Sequence, residues 1–208
     1  MDTPRAQYKL GEVQFFLHWL QKEREGNPQA FGYYLSAFLN AAYSLIVLLK
    51  LEAKMALKTG AEKKKEAKKR FDAWLEEWVS ALSAEDHDVW GLMEAQRTGE
   101  VHRLGAETVK ETKAIPLEPP KSNPALFYIT MNFGQPELYG DAWMEEKRRL
   151  GLPSWATAWR EAQVHHFEIA GERRDVVETC QRYLALLERL LTDFHGSPLA
   201  ATAERNKR

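Results

Sequence analysis

Apolar residues recur at helical spacing along most of the chain, and most clearly over about Pro28 to Lys58. In that segment apolar side chains follow one another alternately four and three residues apart, which is the pattern of a buried helix face. They are Phe31, Leu35, Phe38, Ala42, Leu45 and Leu49. Over residues 45–49 the segment is apolar all round, which predicts burial on more than one side. We therefore expect this segment to be the central helix of a bundle.

Four other stretches carry shorter amphipathic patterns. Gly26, Asn27 and Pro28 mark the end of the first. Ser83 followed by Asp86 has the spacing of a helix N-terminal cap. The predicted helices are about Gly11–Glu25, one carrying Phe71 to Leu82, one from Ser83 to Arg97, and a last one over about Arg174–His195. The chain is predicted to be mainly α, an up-and-down helical bundle.

The residue composition changes between the fourth predicted helix and the last. Four prolines within residues 115–124 exclude a continuing helix and predict a surface linker. Leu126–Phe133 and Val164–Ile169 are rich in aromatic and β-branched residues, so they predict a small two-stranded sheet before the last helix. A short helix and loop are expected over Gly140–Trp159. The predicted organisation is one helical domain over residues 1–195, a β-containing insertion over about 115–170, and a flexible tail over 196–208.

Composition sets limits on location and partners. The 208 residues include 29 basic and 30 acidic ones, so the whole molecule has no net field that attracts nucleic acid. A single cysteine, Cys180, excludes an intramolecular disulfide, fits a reducing compartment, and falls in an amphipathic pattern that predicts a buried thiol. The first ten residues lack the plan of a signal peptide, and the longest apolar run is too short to cross a bilayer. We expect a cytoplasmic protein without a membrane partner.

Candidate chemistry is found at the end of the fourth helix, where Arg97 and His102 are separated by four residues. Arginine offers a planar fork of donors suited to phosphate oxygens, and histidine exchanges protons near neutral pH. On an unbroken helix the two positions lie roughly 140° apart. Gly99 lies between them, so we expect the helix to stop or kink near Thr98 and to bring both side chains to one side.

Two stretches resemble the HEPN superfamily. Residues 31–46, Phe-Gly-Tyr-Tyr-Leu-Ser-Ala-Phe-Leu-Asn-Ala-Ala-Tyr-Ser-Leu-Ile, resemble the second helix of HEPN proteins of the abortive-infection and toxin type. Residues 92–102, Leu-Met-Glu-Ala-Gln-Arg-Thr-Gly-Glu-Val-His, resemble their R-x4-6-H motif. The resemblance covers about Gly11–Val109. The chain departs from the catalytic pattern at Thr98, where active members usually carry Asn, Asp or His.

The resemblance implies a HEPN-like bundle and a homodimer in which two such motifs face each other. It implies a metal-independent endoribonuclease in which Arg97 stabilises phosphate charge and His102 is the base or acid toward the ribose 2′-hydroxyl. No cofactor or metal is expected. Such proteins act as toxins or in phage defence, and a nucleotidyltransferase-type antitoxin is the implied partner. The alternative is a catalytically inactive HEPN-like module that binds RNA or protein.

Other polar features favour structural interpretations. The His87-Asp88 dipeptide is a weak sign of an HD-type metal phosphohydrolase, because His18 is too distant for the usual ligand spacing. His165 and His166 lie in a strand pattern without further ligands at metal spacing and are expected to be structural. The basic run from Lys63 to Arg70 is typical of a solvated helix face, and its role stays open.

Overall fold

The computed structural model describes residues 5–56, 61–103, 108–116, 145, 148–151, 159–169 and 172–200. The protein is mainly helical with a small sheet. Its helices are α1 (Arg5–Lys22), α2 (Pro28–Ala56), α3 (Ala61–Ser80), α4 (Ala84–Arg103) and α5 (Val176–Gly196), and its strands are β1 (Val109–Pro116), β2 (Trp159–Ile169) and β3 (Glu172–Asp175). The chain forms two compact units, residues 1–109 with 166–208 and residues 110–165.

α2 is the central helix of the first unit, as its periodicity predicts. It contacts α1, α3, α4 and α5. All six residues of its predicted stripe are buried. Within residues 45–49, Leu45, Ile46 and Leu49 are buried, whereas Val47 is 43% exposed, so the burial of this stretch does not extend all round the helix. Among the described residues, the four surrounding helices cover one broad side of α2 and leave the opposite side open.

Aromatic side chains join four helices in the core. The rings of Trp78 in α3 and Trp90 in α4 meet edge to face at 5.5 Å between centroids, and Trp90 meets Tyr183 of α5 at the same distance. Tyr183 in turn meets Phe38 of α2 at 6.4 Å. Such contacts stabilise a pair of rings by about 0.5–1.5 kcal/mol beyond the burial of their area. Large, directional contacts thus join α3 to α4, α4 to α5, and α5 to α2.

Two helices begin earlier than their patterns predict. α1 begins at Arg5 because Ala6 and Leu10 extend its buried face by a further turn and a half. α3 begins at Ala61, so the basic run lies within a helix, and its described basic side chains, residues 65 and 68–70, are exposed. The interpretation of that run as a solvated helix face agrees with these positions.

The sheet has three strands in the order β1-β2-β3, not two as predicted. Val164–Ile169 is confirmed as the second half of β2, which pairs antiparallel with β3. β1 and β3 were missed because their charged side chains hide the alternation that marks a half-buried strand. The predicted strand over Leu126–Phe133, and most of the segment Gly140–Trp159, lie outside the described residues.

α5 is fixed at both ends. The Asp175 carboxylate accepts from the backbone N–H of Glu178 at 3.0 Å, capping the helix, and pairs with Arg24 at 2.8 Å. Ser197 is buried, and Leu199 and Ala200 pack against the core. The prediction of a flexible tail from residue 196 is therefore wrong as far as residue 200, because Leu199 adds apolar surface to the bundle.

Cys180 lies within α5 and is fully buried, as predicted. Burial raises the pKa of its thiol well above the ordinary value, and Asp175 adds to this rise. The thiol is therefore protonated at neutral pH.

α2 is also apolar enough, by length and composition alone, to be a candidate membrane span over Pro28–Met55. The core helix of a soluble bundle passes the same test. The contacts of α2 with four other helices account for its buried apolar stripe, and the cytoplasmic location stays a prediction.

The predicted cap of α4 is confirmed and is tied to α5. Ser83 Oγ accepts from the Asp86 backbone N–H at 3.2 Å and donates to the Asp86 carboxylate at 2.8 Å. Arg182 Nε of α5 donates to the same carboxylate at 2.6 Å, and Arg182 also pairs with Glu85. The hydrogen bond from Arg182, followed by that from Ser83, lowers the pKa of Asp86 below its ordinary value.

This lowered pKa gives a testable dependence of stability on pH. Because the folded state holds Asp86 ionised, its contribution is present above the unfolded pKa of about 4 and is lost as pH falls through the folded pKa. We expect Asp86→Asn to lower the free energy of unfolding at pH 7, and this loss to disappear on acidification below about pH 4. Urea unfolding of both proteins across this range is the measurement. Glu76→Gln, a change of an exposed carboxylate on α3, is the control and should show little effect. An Asp86→Asn difference independent of pH would contradict the assignment.

Candidate active site

α4 carries both candidate residues, and it is continuous through Gly99 to Arg103. The predicted break near Thr98 is therefore wrong. Thr98 Oγ1 donates to the carbonyl of Glu94 at 2.9 Å, a bond to the preceding turn that is compatible with an unbroken helix. A glycine inside a helix destabilises the helix by about 1 kcal/mol, and the helix-forming residues on both sides of Gly99 outweigh this cost.

Continuity fixes the relation between positions 97 and 102. Five residues of α-helix separate the two positions by roughly 140° around the axis and about 7.5 Å along it. One copy of the chain thus does not bring the two positions to the same side of α4. The side chain of His102 lies outside the described part of the chain.

Arg97 is held by an aromatic ring on the central helix. Its guanidinium carbon lies 3.3 Å from the ring centroid of Tyr43 in α2, and the side chain is half-buried. Its Nε is buried, with no hydrogen-bond partner among the described residues. Stacking occupies a face of the guanidinium, whereas its N–H donors lie in the plane of the group. Tyr43 therefore orients a fork of donors of the kind that binds phosphate.

Glu94 lies one turn before Arg97 and completes this cluster. Burial raises the pKa of Glu94, and the nearby charge of Arg97 opposes that rise. Behind it, burial raises the pKa of Tyr183, and the charge of Glu94 adds to the rise. The cluster of Tyr43, Glu94 and Arg97 thus combines a fixed cation with a carboxylate that takes up a proton more readily than usual.

The sequence analysis singled out neither Tyr43 nor Glu94 as a site residue. For Glu94 a signal existed, because a carboxylate three residues before an arginine shares its helix face. Tyr43 lies 54 positions before Arg97 in the printed numbering, and only the packing of α2 against α4 brings them together. Spacing within one helix cannot reveal such a contact.

The remaining histidines do not form a second centre in the described part of the chain. His18, His87 and His195 are exposed, whereas His165 and His166 in β2 are buried. Within the described ranges, no group of three His, Cys, Asp or Glu side chains is arranged to hold a metal ion. Arg97 and its neighbours therefore form the cluster with the clearest chemical use.

No protein-family model matches the chain, and no curated protein or solved structure matches it either.

The continuity of α4 predicts the effect of Gly99→Ala. Alanine in place of a helix-interior glycine should raise the free energy of unfolding by a few tenths to about 1 kcal/mol. Gly91→Ala is the matched control, since Gly91 is exposed in the same helix and a Cβ there meets nothing within 4 Å. Chemical denaturation should show similar gains for both variants. Destabilisation by Gly99→Ala beside a stabilising Gly91→Ala would indicate a break at residue 99.

Proposed function

We propose that the protein is a HEPN-like endoribonuclease that cleaves single-stranded or looped RNA without a divalent metal. The fixed Arg97 guanidinium, stacked on Tyr43, is the observation that carries this proposal. It is supported by the resemblance of residues 31–46 and 92–102 to HEPN proteins, and by the mainly helical bundle that places both stretches in neighbouring helices.

The proposed reaction uses the nucleophile of the RNA itself. The ribose 2′-oxygen attacks phosphorus as His102 takes its proton, and the bond from phosphorus to the 5′-oxygen breaks as an acid protonates that oxygen. The products are a 2′,3′-cyclic phosphate and a 5′-hydroxyl. Arg97 stabilises the charge that develops on the non-bridging oxygens. DNA lacks the 2′-hydroxyl and is therefore not a substrate.

A base and an acid are both needed, so we propose that the active form is a homodimer. Two copies of His102 supply the two proton-transfer groups, and two copies of Arg97 supply the phosphate contacts. Positions 97 and 102 of one copy lie on different sides of α4. Arg97 of one copy and His102 of the other are not held apart in this way, which favours a site shared between two copies. Thr98 replaces the Asn, Asp or His usual in active relatives, which reduces polar support for Arg97.

The biological role follows from the same resemblance. We propose a cytoplasmic toxin or phage-defence ribonuclease, restrained by a nucleotidyltransferase-type antitoxin. Coexpression with a neighbouring nucleotidyltransferase gene product should relieve any growth defect that the protein causes.

A specific observation favours a second function, binding without cleavage. The continuous α4 separates positions 97 and 102 within one copy, so Arg97 can hold a phosphate or a partner without help from His102. In that case the protein is an inactive HEPN-like module for RNA or protein.

The cleavage proposal predicts the behaviour of three proteins on a labelled single-stranded RNA with EDTA present. The wild type should release a cyclic-phosphate product. His102→Ala should abolish turnover, and Arg97→Lys should lower it strongly because a point charge cannot replace a two-pronged fork. Mixing inactive Arg97→Ala and His102→Ala subunits should not restore activity, because a mixed dimer keeps only one His102 and cannot supply both a base and an acid.

One control variant and two contradicting outcomes test this cleavage mechanism. His87→Ala changes an exposed histidine at the other end of α4 and should leave cleavage unchanged. Undiminished cleavage by His102→Ala, or cleavage that EDTA abolishes, would contradict the mechanism. RNA binding by a wild type that cleaves no RNA would support the binding module instead.

The role of Tyr43 is tested by a matched pair of variants. Tyr43→Phe keeps the ring that faces the guanidinium, whereas Tyr43→Leu keeps apolar bulk but removes the π face. We expect Tyr43→Leu to weaken RNA binding by about 0.5–2 kcal/mol, the range of one cation–π contact, and Tyr43→Phe to have a small effect. Fluorescence anisotropy with labelled RNA measures both. Equal losses in the two variants would assign the role to the Tyr43 hydroxyl instead.

A further inference from the structure

α2 presents an exposed stripe on the side opposite its buried one. Six residues follow each other at alternate steps of four and three, which is the spacing of helices that pack side by side. We call them the α2 seam: Tyr33, Ala37, Asn40, Ser44, Val47 and Leu51. Tyr33 is 66% exposed and Leu51 is 40% exposed, and Met55 extends the stripe at 61%. A solvent-facing helix side normally carries charged residues, so this face is unusual.

The seam lacks charge, and no described element of the first unit covers it. No Asp, Glu, Lys or Arg occurs from Pro28 to Leu49, which includes every seam residue except Leu51. A strongly acidic or basic partner would gain little from such a face, whereas an identical neutral face meets no repulsion. The small side chains of Ala37, Asn40 and Ser44 at its centre permit close approach of a second helix. Neutrality and small size thus favour a second copy of this chain.

The order of residues along the seam is self-complementary. Three pairs of seam residues, Tyr33 with Leu51, Ala37 with Val47, and Asn40 with Ser44, are each centred on position 42. In an antiparallel pair with its two-fold axis at position 42, each seam residue therefore faces a seam residue of the partner subunit. From Tyr33 to Leu51 the seam is about 27 Å long, which is five turns of helix. A polar Asn at the centre of such a stripe sets the register.

We propose that the α2 seam is the surface through which two copies of this chain associate, antiparallel and centred on position 42. The Tyr33 rings cover the Leu51 side chains across the axis at both ends, and the polar centre of Asn40 and Ser44 opposes sliding by a turn.

This arrangement has a consequence for the candidate site. Tyr43 lies on one flank of the seam, only one residue from the axis. A two-fold axis perpendicular to the helix pair places both copies of Tyr43 on the same side of the pair, about 3 Å apart along the helices. Both Arg97 side chains, stacked on these rings, then border one cleft. This consequence rests on the proposed function, whereas the seam itself does not.

The first experiment compares two variants that replace an exposed apolar residue by Glu. Val47→Glu lies in the seam, and Tyr8→Glu lies on α1, where Tyr8 is 70% exposed. Sedimentation at micromolar concentration, without RNA, measures association. We expect Val47→Glu to raise the dimer dissociation constant by more than about 100-fold, because each dimer would bury two unpaired carboxylates. Tyr8→Glu should leave the dissociation constant unchanged. Circular dichroism checks that both variants keep the helical fold.

A second experiment tests the register by pairing charges. Ala37→Lys and Val47→Glu should each be monomeric alone, and their mixture should form a heterodimer because the introduced ammonium group faces the introduced carboxylate across the axis. A mixture that stays monomeric would overturn the antiparallel register.

A dimeric Val47→Glu protein would overturn the seam as the interface. A monomeric wild type that Val47→Glu destabilises would also overturn it, since another segment of the same chain would then cover the seam. A monomeric Val47→Glu protein that still cleaves RNA would support the seam and contradict the need for a dimer in cleavage.

Discussion

Covering the apolar stripe of α2 is the constraint on which the rest of the first unit depends. The stripe from Phe31 to Leu49 on this helix of 29 residues is too apolar to remain exposed to water, so α1, α3, α4 and α5 all contact the helix. The aromatic contacts from Trp78 through Trp90 to Tyr183 and Phe38 then fix how the outer helices stand on α2. Removing α2 from this arrangement would leave the other helices without a common core.

The same packing determines what the candidate site can do. Arg97 has its orientation because α4 lies against α2, where Tyr43 meets the guanidinium. The Arg97 side chain thus packs within the bundle. The orientation of its guanidinium is set by the packing of the two helices, so little side-chain freedom would be left to lose if it bound an anion as proposed.

Sequence patterns predicted the parts of this molecule that depend on local periodicity. The α2 stripe and the Ser83 cap were recognisable because both follow from spacing within one helix. The continuity of α4 could not be recognised in this way. Gly99 destabilises the helix by about 1 kcal/mol, and the flanking helical turns outweigh this cost. β3 was missed because its four residues are all charged, and only pairing with β2 makes them a strand. The Tyr43 contact depends on two helices that are distant in sequence.

Cys180 shows how the core controls reactivity as well as shape. Its thiol is buried in α5 and its pKa is raised by burial and by Asp175, so the reactive thiolate is scarce in the folded protein. It is also the single cysteine of the chain. An alkylating reagent therefore reacts with molecules whose last helix has left the bundle and spares those that are intact. The chain carries within its own core a chemical indicator of its unfolding.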